Sequence, residues 1–199
     1  DNSSSGYICA TTSGNKIIFD ASSIGPDYIP GHAHADTLSF ELSIGPERVF
    51  VNSGVSEYDL TPMRLQQRKT KAHNTVEVDS KDSSQVWSSF RVAKRASILE
   101  KTFSINEKGR IFFQASHDGY KSKFSGCIHK RSLTFENNQL IVNDFLKGNY
   151  RSAKSFFHFH PDLDLNLKKN KLEVEGEDFM LFSDLKNFNS RVEETLWHP

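Results

Sequence analysis

The sequence predicts an all-β protein: an antiparallel β-sandwich of two or more stacked sheets with at most one short helix. Three observations predict it. Apolar residues recur with period two through most of the chain, Phe supplies 16 of the 199 residues, and short polar turns separate the apolar runs. A chain of this length buries a full core, so one domain over residues 1–199 is expected.

In chain order, strands are expected at Ile17 to Asp20, Thr37 to Ile44, Arg48 to Asn52, Asn74 to Asp79, Ala96 to Ile105 and Arg110 to His117. The second half continues as a meander, with strands at Ile128 to Glu136, Gln139 to Phe145, Ser155 to His160, Leu163 to Leu167, Lys171 to Glu175 and Phe179 to Ser183. Ser13-Gly14-Asn15, Asn106 to Gly109, Glu136-Asn137-Asn138 and Lys168 to Lys171 have the chemistry of hairpin turns. Asp59 to Thr70 is the one helix candidate, with Thr61-Pro62 at its start.

Charge and cysteine usage narrow the function classes. Lys plus Arg and Asp plus Glu number 25 each, so no global field draws the chain to nucleic acid or an anionic membrane. Any polyanion must be met by a local patch. Cys9 and Cys127 have no metal-ligand spacing and read as free buried thiols. No apolar stretch is long enough to span a bilayer. The chain opens Asp1-Asn2-Ser3 without an initiator Met, so an excised or processed piece of a longer protein is expected.

Chemistry concentrates between Gly31 and His73. In GHAHADTLSFEL, His32, His34 and Asp36 share the parity of Leu38, Phe40 and Leu42, so a continuous strand aims all of them at one face. Ionisable groups buried without partners cost several kcal/mol, roughly, so a metal, a ligand or hydrogen bonds must satisfy them. A strand through Val76 and Val78 beside the first would bring His73 to His34. The bland alternative is a set of hydrogen-bonded core or rim histidines, and His117, His129, His158, His160 and His198 are read that way. Arg64, Arg68, Lys69 and Lys71 form a basic run that is either a solvated face or a docking site for carboxylates and sulfates.

Four segments in order, GHAHADTLSFEL, VNSGVSEY, RLQQRKTKAHNTVEVD and SSQVWSSFRVAKRA, resemble the core of the heparinase II/III-like lyases. The resemblance implies a β-sandwich that follows an N-terminal α/α-toroid domain in the same parent chain. It further implies cleavage of acidic polysaccharides such as heparan sulfate or alginate by β-elimination, in a bacterial periplasm or cell envelope. By resemblance His32, facing the substrate cleft, and Tyr58, near it, are the catalytic residues of this chain. Arg64, Arg68 and Asn74 are the implied substrate-binding residues. His34 and His73 match positions that hold a structural zinc ion, and the third ligand, an Asp in the family, falls on Asn52. A neutral amide is a poorer zinc ligand than a carboxylate.

Elimination across a uronic acid requires neutralising its carboxylate, removing the adjacent proton and protonating the leaving oxygen. The family's main Tyr and His pair comes from the toroid, so the 199 residues alone are expected to be inactive. Two rival classes stand beside the lyase reading. One is a non-catalytic carbohydrate-binding or structural sandwich; the other is a cupin-like metal enzyme, suggested by His32, His34 and Glu41 but lacking that barrel's second motif.

Overall fold

Alternation decides which side of each strand is dry. In the computed structural model, which describes residues 5–12, 14–26, 28–121, 126–137, 139–168, 171–176 and 180–182, strands β1 (Tyr7–Thr12), β2 (Asn15–Asp20), β3 (Phe40–Ile44) and β4 (Glu47–Phe50) form one antiparallel sheet in that order. Ile8, Ile17, Phe19, Phe40, Leu42 and Val49 point to one face and are buried. A second sheet sets β8 (Ile98–Ile105), β9 (Ile111–His117), β10 (Ile128–Glu136) and β11 (Gln139–Lys147) side by side as antiparallel neighbours. Its Ile111, Phe113, Ala115, Leu133 and Phe135 meet the first sheet in a single core. Phe19 and Phe113 touch across the layers with ring centroids 5.6 Å apart. Each fully buried side chain of this kind contributes roughly 1.5–3 kcal/mol of transfer free energy.

A third sheet of β13 (Asp164–Lys168), β14 (Lys171–Glu175) and β15 (Met180–Phe182) adds Val174 to that core, and Leu163 joins it just ahead of β13. Two short ribbons complete the architecture: β5 (Val76–Val78) pairs with β12 (Ala153–Ser155), and β6 (Val86–Trp87) with β7 (Arg91–Val92). The expected sandwich is therefore observed. Between β8 and β9 the Asn106 side chain accepts from the backbone N–H groups of Lys108 and Arg110, and Gly109 takes the positive φ the turn requires.

The predicted helix forms as α1 (Pro62–Gln67), with the Thr61 hydroxyl accepting from Arg64 N at 3.0 Å as its cap. A 3₁₀ turn at Thr70–Ala72 comes next. Among the described residues no helix is long and apolar enough to cross a membrane.

Several expected boundaries are corrected. The strand expected from Thr37 begins only at Phe40, because Leu38 adopts φ 63° and Ser39 N turns back to Asp36 O. The segment bearing His32, His34 and Asp36 is thus a loop, and parity does not apply to it. Val76–Val78 pairs with β12 rather than β3. The strand expected at Ser155 to His160 reduces to the end of β12 and an isolated bridge between Phe50 and Phe159. Neither β1 nor the β6–β7 hairpin was predicted. Cys127 is buried as expected, whereas Cys9 sits on an outward-facing position of β1 and is exposed; both are free thiols. His198, both ends of the Phe179 to Ser183 strand, and parts of the turns at Ser13, Asn138 and Lys169-Asn170 lie outside the described residues.

Candidate functional site

A loop keeps a fixed shape only if its backbone groups find partners, and the loop from Gly31 to Thr37 finds them on the segment from Arg68 to Thr75, just beyond α1. Ala35 N donates to Arg68 O at 2.9 Å, the Thr70 hydroxyl to Ala35 O at 2.8 Å, and the Thr75 hydroxyl to Thr37 O at 2.9 Å. Arg68 supplies the central clamp. Its Nε and one terminal nitrogen donate to Ala33 O at 3.1 and 3.0 Å, and the guanidinium also reaches Ser88 O at 2.8 Å and Arg91 O at 3.2 Å. Fully buried and committed to carbonyls, Arg68 cannot meet a polysaccharide, which corrects its expected role.

Two groups of side chains result. At the surface, exposed His32 stands edge-on to Tyr58, centroids 5.7 Å apart, and to Phe90 at 5.6 Å. Behind it, His34 and His73 lie with rings 5.2 Å apart, and one ligand atom from each of His34, Asp36 and His73 falls within 4.8 Å of the others. An open cleft of about 1200 Å³ runs past His32, His34, Asp36, Asn52 and Gly54.

Burial, reinforced by His73 and opposed by Asp36, pushes the His34 imidazole down to about 3. His73 is also lowered to about 3, chiefly by burial and then by His158; the Gln67 backbone opposes this weakly from outside hydrogen-bonding geometry. Burial raises Asp36 while His34 lowers it, and Asp20, close by, is pushed up to about 8 by burial and by Asp36. Both imidazoles are therefore neutral and have lone pairs to offer.

Residues 2–199 match the family described as Heparinase II/III-like, C-terminal. The chain belongs to this family. No curated protein matches. Among solved structures, this heparinase II/III-like domain is similar to the heparan sulfate lyase HepC from Pedobacter heparinus, with TM-score 0.65 and 19% identity over 87% of this chain and 26% of that one. A mutant of the same lyase gives TM-score 0.66 at 19% identity, with the same two coverages. A heparinase III gene product gives TM-score 0.66 at 18% identity, again over 87% and 26%. The domain thus spans about a quarter of the length of these neighbours, and at such identity the likeness concerns the fold.

Within the heparinase II/III-like domain, the donor set fits a zinc-like cation. Two neutral imidazoles and a carboxylate are the ligand types such an ion takes, and neither nitrogen of fully buried His73 has a hydrogen-bond partner. Asp36, not Asn52, is the acidic member of the group. Asn52 lines the same cleft, and its Oδ1 accepts from Gly54 N at 3.4 Å. The signal for Asp36 was its closeness to the H-x-H pair. The fit is tested by titrating the metal-free protein with zinc in a calorimeter: if the group takes the ion, Asp36→Asn, which replaces a carboxylate by a neutral amide, is expected to bind it more weakly than the parent. Equal affinity in both proteins would remove Asp36 from the site.

Two further expectations are corrected. Asn74 does not face the cleft; its amide donates to Phe40 O at 2.8 Å and Val51 O at 3.0 Å and accepts from His158 N, stitching three segments together. Arg64 is 1% exposed, so it makes no direct sugar contact. It instead places its guanidinium 5.2 Å from the Tyr58 ring centroid and 3.4 Å from His34 Nε2, as a fixed positive charge beneath the site. Phe90 is a site neighbour that sequence reasoning missed: SSQVWSSFRVAKRA was matched as a segment, but nothing in its sequence marks that aromatic as packing on His32.

Proposed function

We propose that this domain forms one wall of the substrate cleft in a polysaccharide lyase that cleaves uronic-acid-containing glycans by β-elimination. The observation that carries the reading is the pairing of exposed Tyr58 with exposed His32, which lines a cleft together with His34, Asp36 and Asn52. Family membership supports it, and the structural neighbours named for heparan sulfate cleavage favour an acidic glycan substrate. In this reading His32 donates to the uronate carboxylate, whose charge must be relieved before the neighbouring proton leaves. Tyr58 presents its hydroxyl to the same sugar. The positive charge of Arg64 behind both rings favours the anionic transition state without touching it. A bound zinc ion would brace the loop through His34, Asp36 and His73. The opposite wall, with the remaining acid and base, belongs to an N-terminal α/α-toroid partner domain of the parent chain.

The test uses that parent chain and ultraviolet detection of unsaturated products from heparan sulfate and alginate. His32→Ala and Tyr58→Phe are each expected to lower kcat/KM by at least about 100-fold, and the 199-residue chain alone to be inactive. Full activity in both variants would leave a non-catalytic carbohydrate-binding or structural sandwich as the better description.

A further inference from the structure

We propose that Phe90 is a positioning residue: it sets the orientation of the His32 imidazole and the Tyr58 ring, an inference that rests on the lyase reading of the cleft. The need for such a residue comes from His32 itself. Among the described residues no hydrogen bond fixes its ring, in contrast to His158, held by one, and to His117 and His129, held by two each. What holds the ring is aromatic packing.

Phe90 and Tyr58 lie almost parallel, 2° apart with centroids at 6.3 Å, and His32 stands at 75° to the first and 74° to the second. Edge-to-face contact of this kind is the favoured geometry for rings with negative faces and positive edges. Two neighbours of unlike role thereby confine one imidazole. Removing the Phe90 ring frees His32 on one side and Tyr58 on the other.

The chain spends buried contacts to keep this ring in place although Phe90 is 46% exposed. Arg68 donates to Ser88 O and Arg91 O, flanking Phe90, and to Ala33 O, next to His32, so one guanidinium ties the two segments together. Gly31 completes the fit. A Cβ there would already touch the Phe90 side chain and carbonyl at 3.4 Å, so the hairpin lies directly on the residue before His32.

The experiment compares Phe90→Leu, Phe90→Tyr, Trp87→Ala and His32→Ala in the parent lyase. Trp87, exposed in the same hairpin, has no contact with the His32 ring among those described and serves as the control. Phe90→Leu is expected to lower kcat about 10- to 100-fold with KM changed less than about 3-fold, since misplacing a reacting group by about 1 Å costs this much. Phe90→Tyr, which keeps the ring, and Trp87→Ala are expected to stay within about 3-fold of the parent in kcat, and all variants to melt as the parent does. Parent-like kcat in Phe90→Leu overturns the proposal. So does a rise in KM alone, which would make Phe90 a sugar contact, an equal loss in Phe90→Tyr, or a loss of kcat that tracks a fall in melting temperature. An active His32→Ala enzyme defeats the lyase reading and this inference together; an inactive one beside an intact Phe90→Leu enzyme defeats this inference only.

Discussion

Replacing Arg131 by Ala is expected to destabilise the domain by about 3–5 kcal/mol, enough to unfold a protein of ordinary stability under mild denaturant. Arg131 lies fully buried on β10 and ties the second main sheet to the segments that carry Asp36 and His73. Its Nε and one terminal nitrogen grip both carboxylate oxygens of Asp144 on β11, each at 2.8 Å. The other terminal nitrogen donates to Leu38 O and Asn74 O, on the segments that follow Asp36 and His73. Truncation leaves a half-desolvated carboxylate and two buried carbonyls without their donor, and each loss costs more than the original bond contributed. Arg131→Met with Asp144→Leu is expected to be milder than Arg131→Ala, because it removes the charge as well as its partner. Urea unfolding monitored by circular dichroism gives both numbers. A loss below about 1 kcal/mol in Arg131→Ala would mean that water satisfies Asp144 and the carbonyls from the surface.

The same residue shows where sequence reading reaches and where it stops. Period-two alternation in IFFQASH and IHKRSLTFE identified β9 and β10 because one face of each is dry, and Thr61-Pro62 marked α1 through capping chemistry that needs no tertiary context. The charge of Arg64 and Arg68 suggested solvent or ligand, and Arg131 carried no signal in the sequence. All three are buried, two of them against neutral carbonyl groups that composition cannot reveal. The convergence of His34 with His73 was legible, but the proposed cause was wrong. A left-handed turn at Leu38 ends the strand, and hydrogen bonds from Arg68 and Thr70 shape the loop instead. Strand β1 escaped because the Thr-rich YICATT has only weak apolar alternation, although pairing with β2 buries its Ile8 and Ala10.

Below about pH 6.5 His117 and His129 are expected to contribute a loss of stability of up to about 3 kcal/mol per pH unit. Their hydrogen bonds run in one direction. Gly119 N donates to His117 Nδ1 at 3.0 Å, so His117 carries its proton on Nε2 and donates to His129 Nδ1 at 3.1 Å. His129 then carries its proton on Nε2 and donates to Asp144 Oδ1 at 2.7 Å. Adding a proton to either ring sets donor against donor. The position admits only glycine, since a Cβ at Gly119 would fall 2.3 Å from Ser83 O.

Burial, together with His129, Arg131 and Lys94, holds His117 well below the usual imidazole range, with Asp144 opposing; the Tyr120 ring packs alongside. His129 is lowered by burial and Arg131, although Asp144 favours its charged form. Through these two rings the unfolded chain binds up to two more protons than the folded one once pH falls below the free-imidazole value; neutral His34 and His73 add to this loss, while Asp20 and Asp36, raised by burial, oppose it. Asp144 extends the trend at lower pH: burial would raise it, but Arg131 and His129 hold it far below the carboxylate range, so its contribution is complete above about pH 4 and fades beneath that. Urea titrations at pH 7, 6 and 5 should show this slope, and His117→Gln should flatten it by about 1.4 kcal/mol per pH unit. Stability that stays level down to pH 5 would mean that water or a neighbouring rearrangement accepts the extra protons, and that the neutral relay from Gly119 to Asp144 is not what the fold depends on.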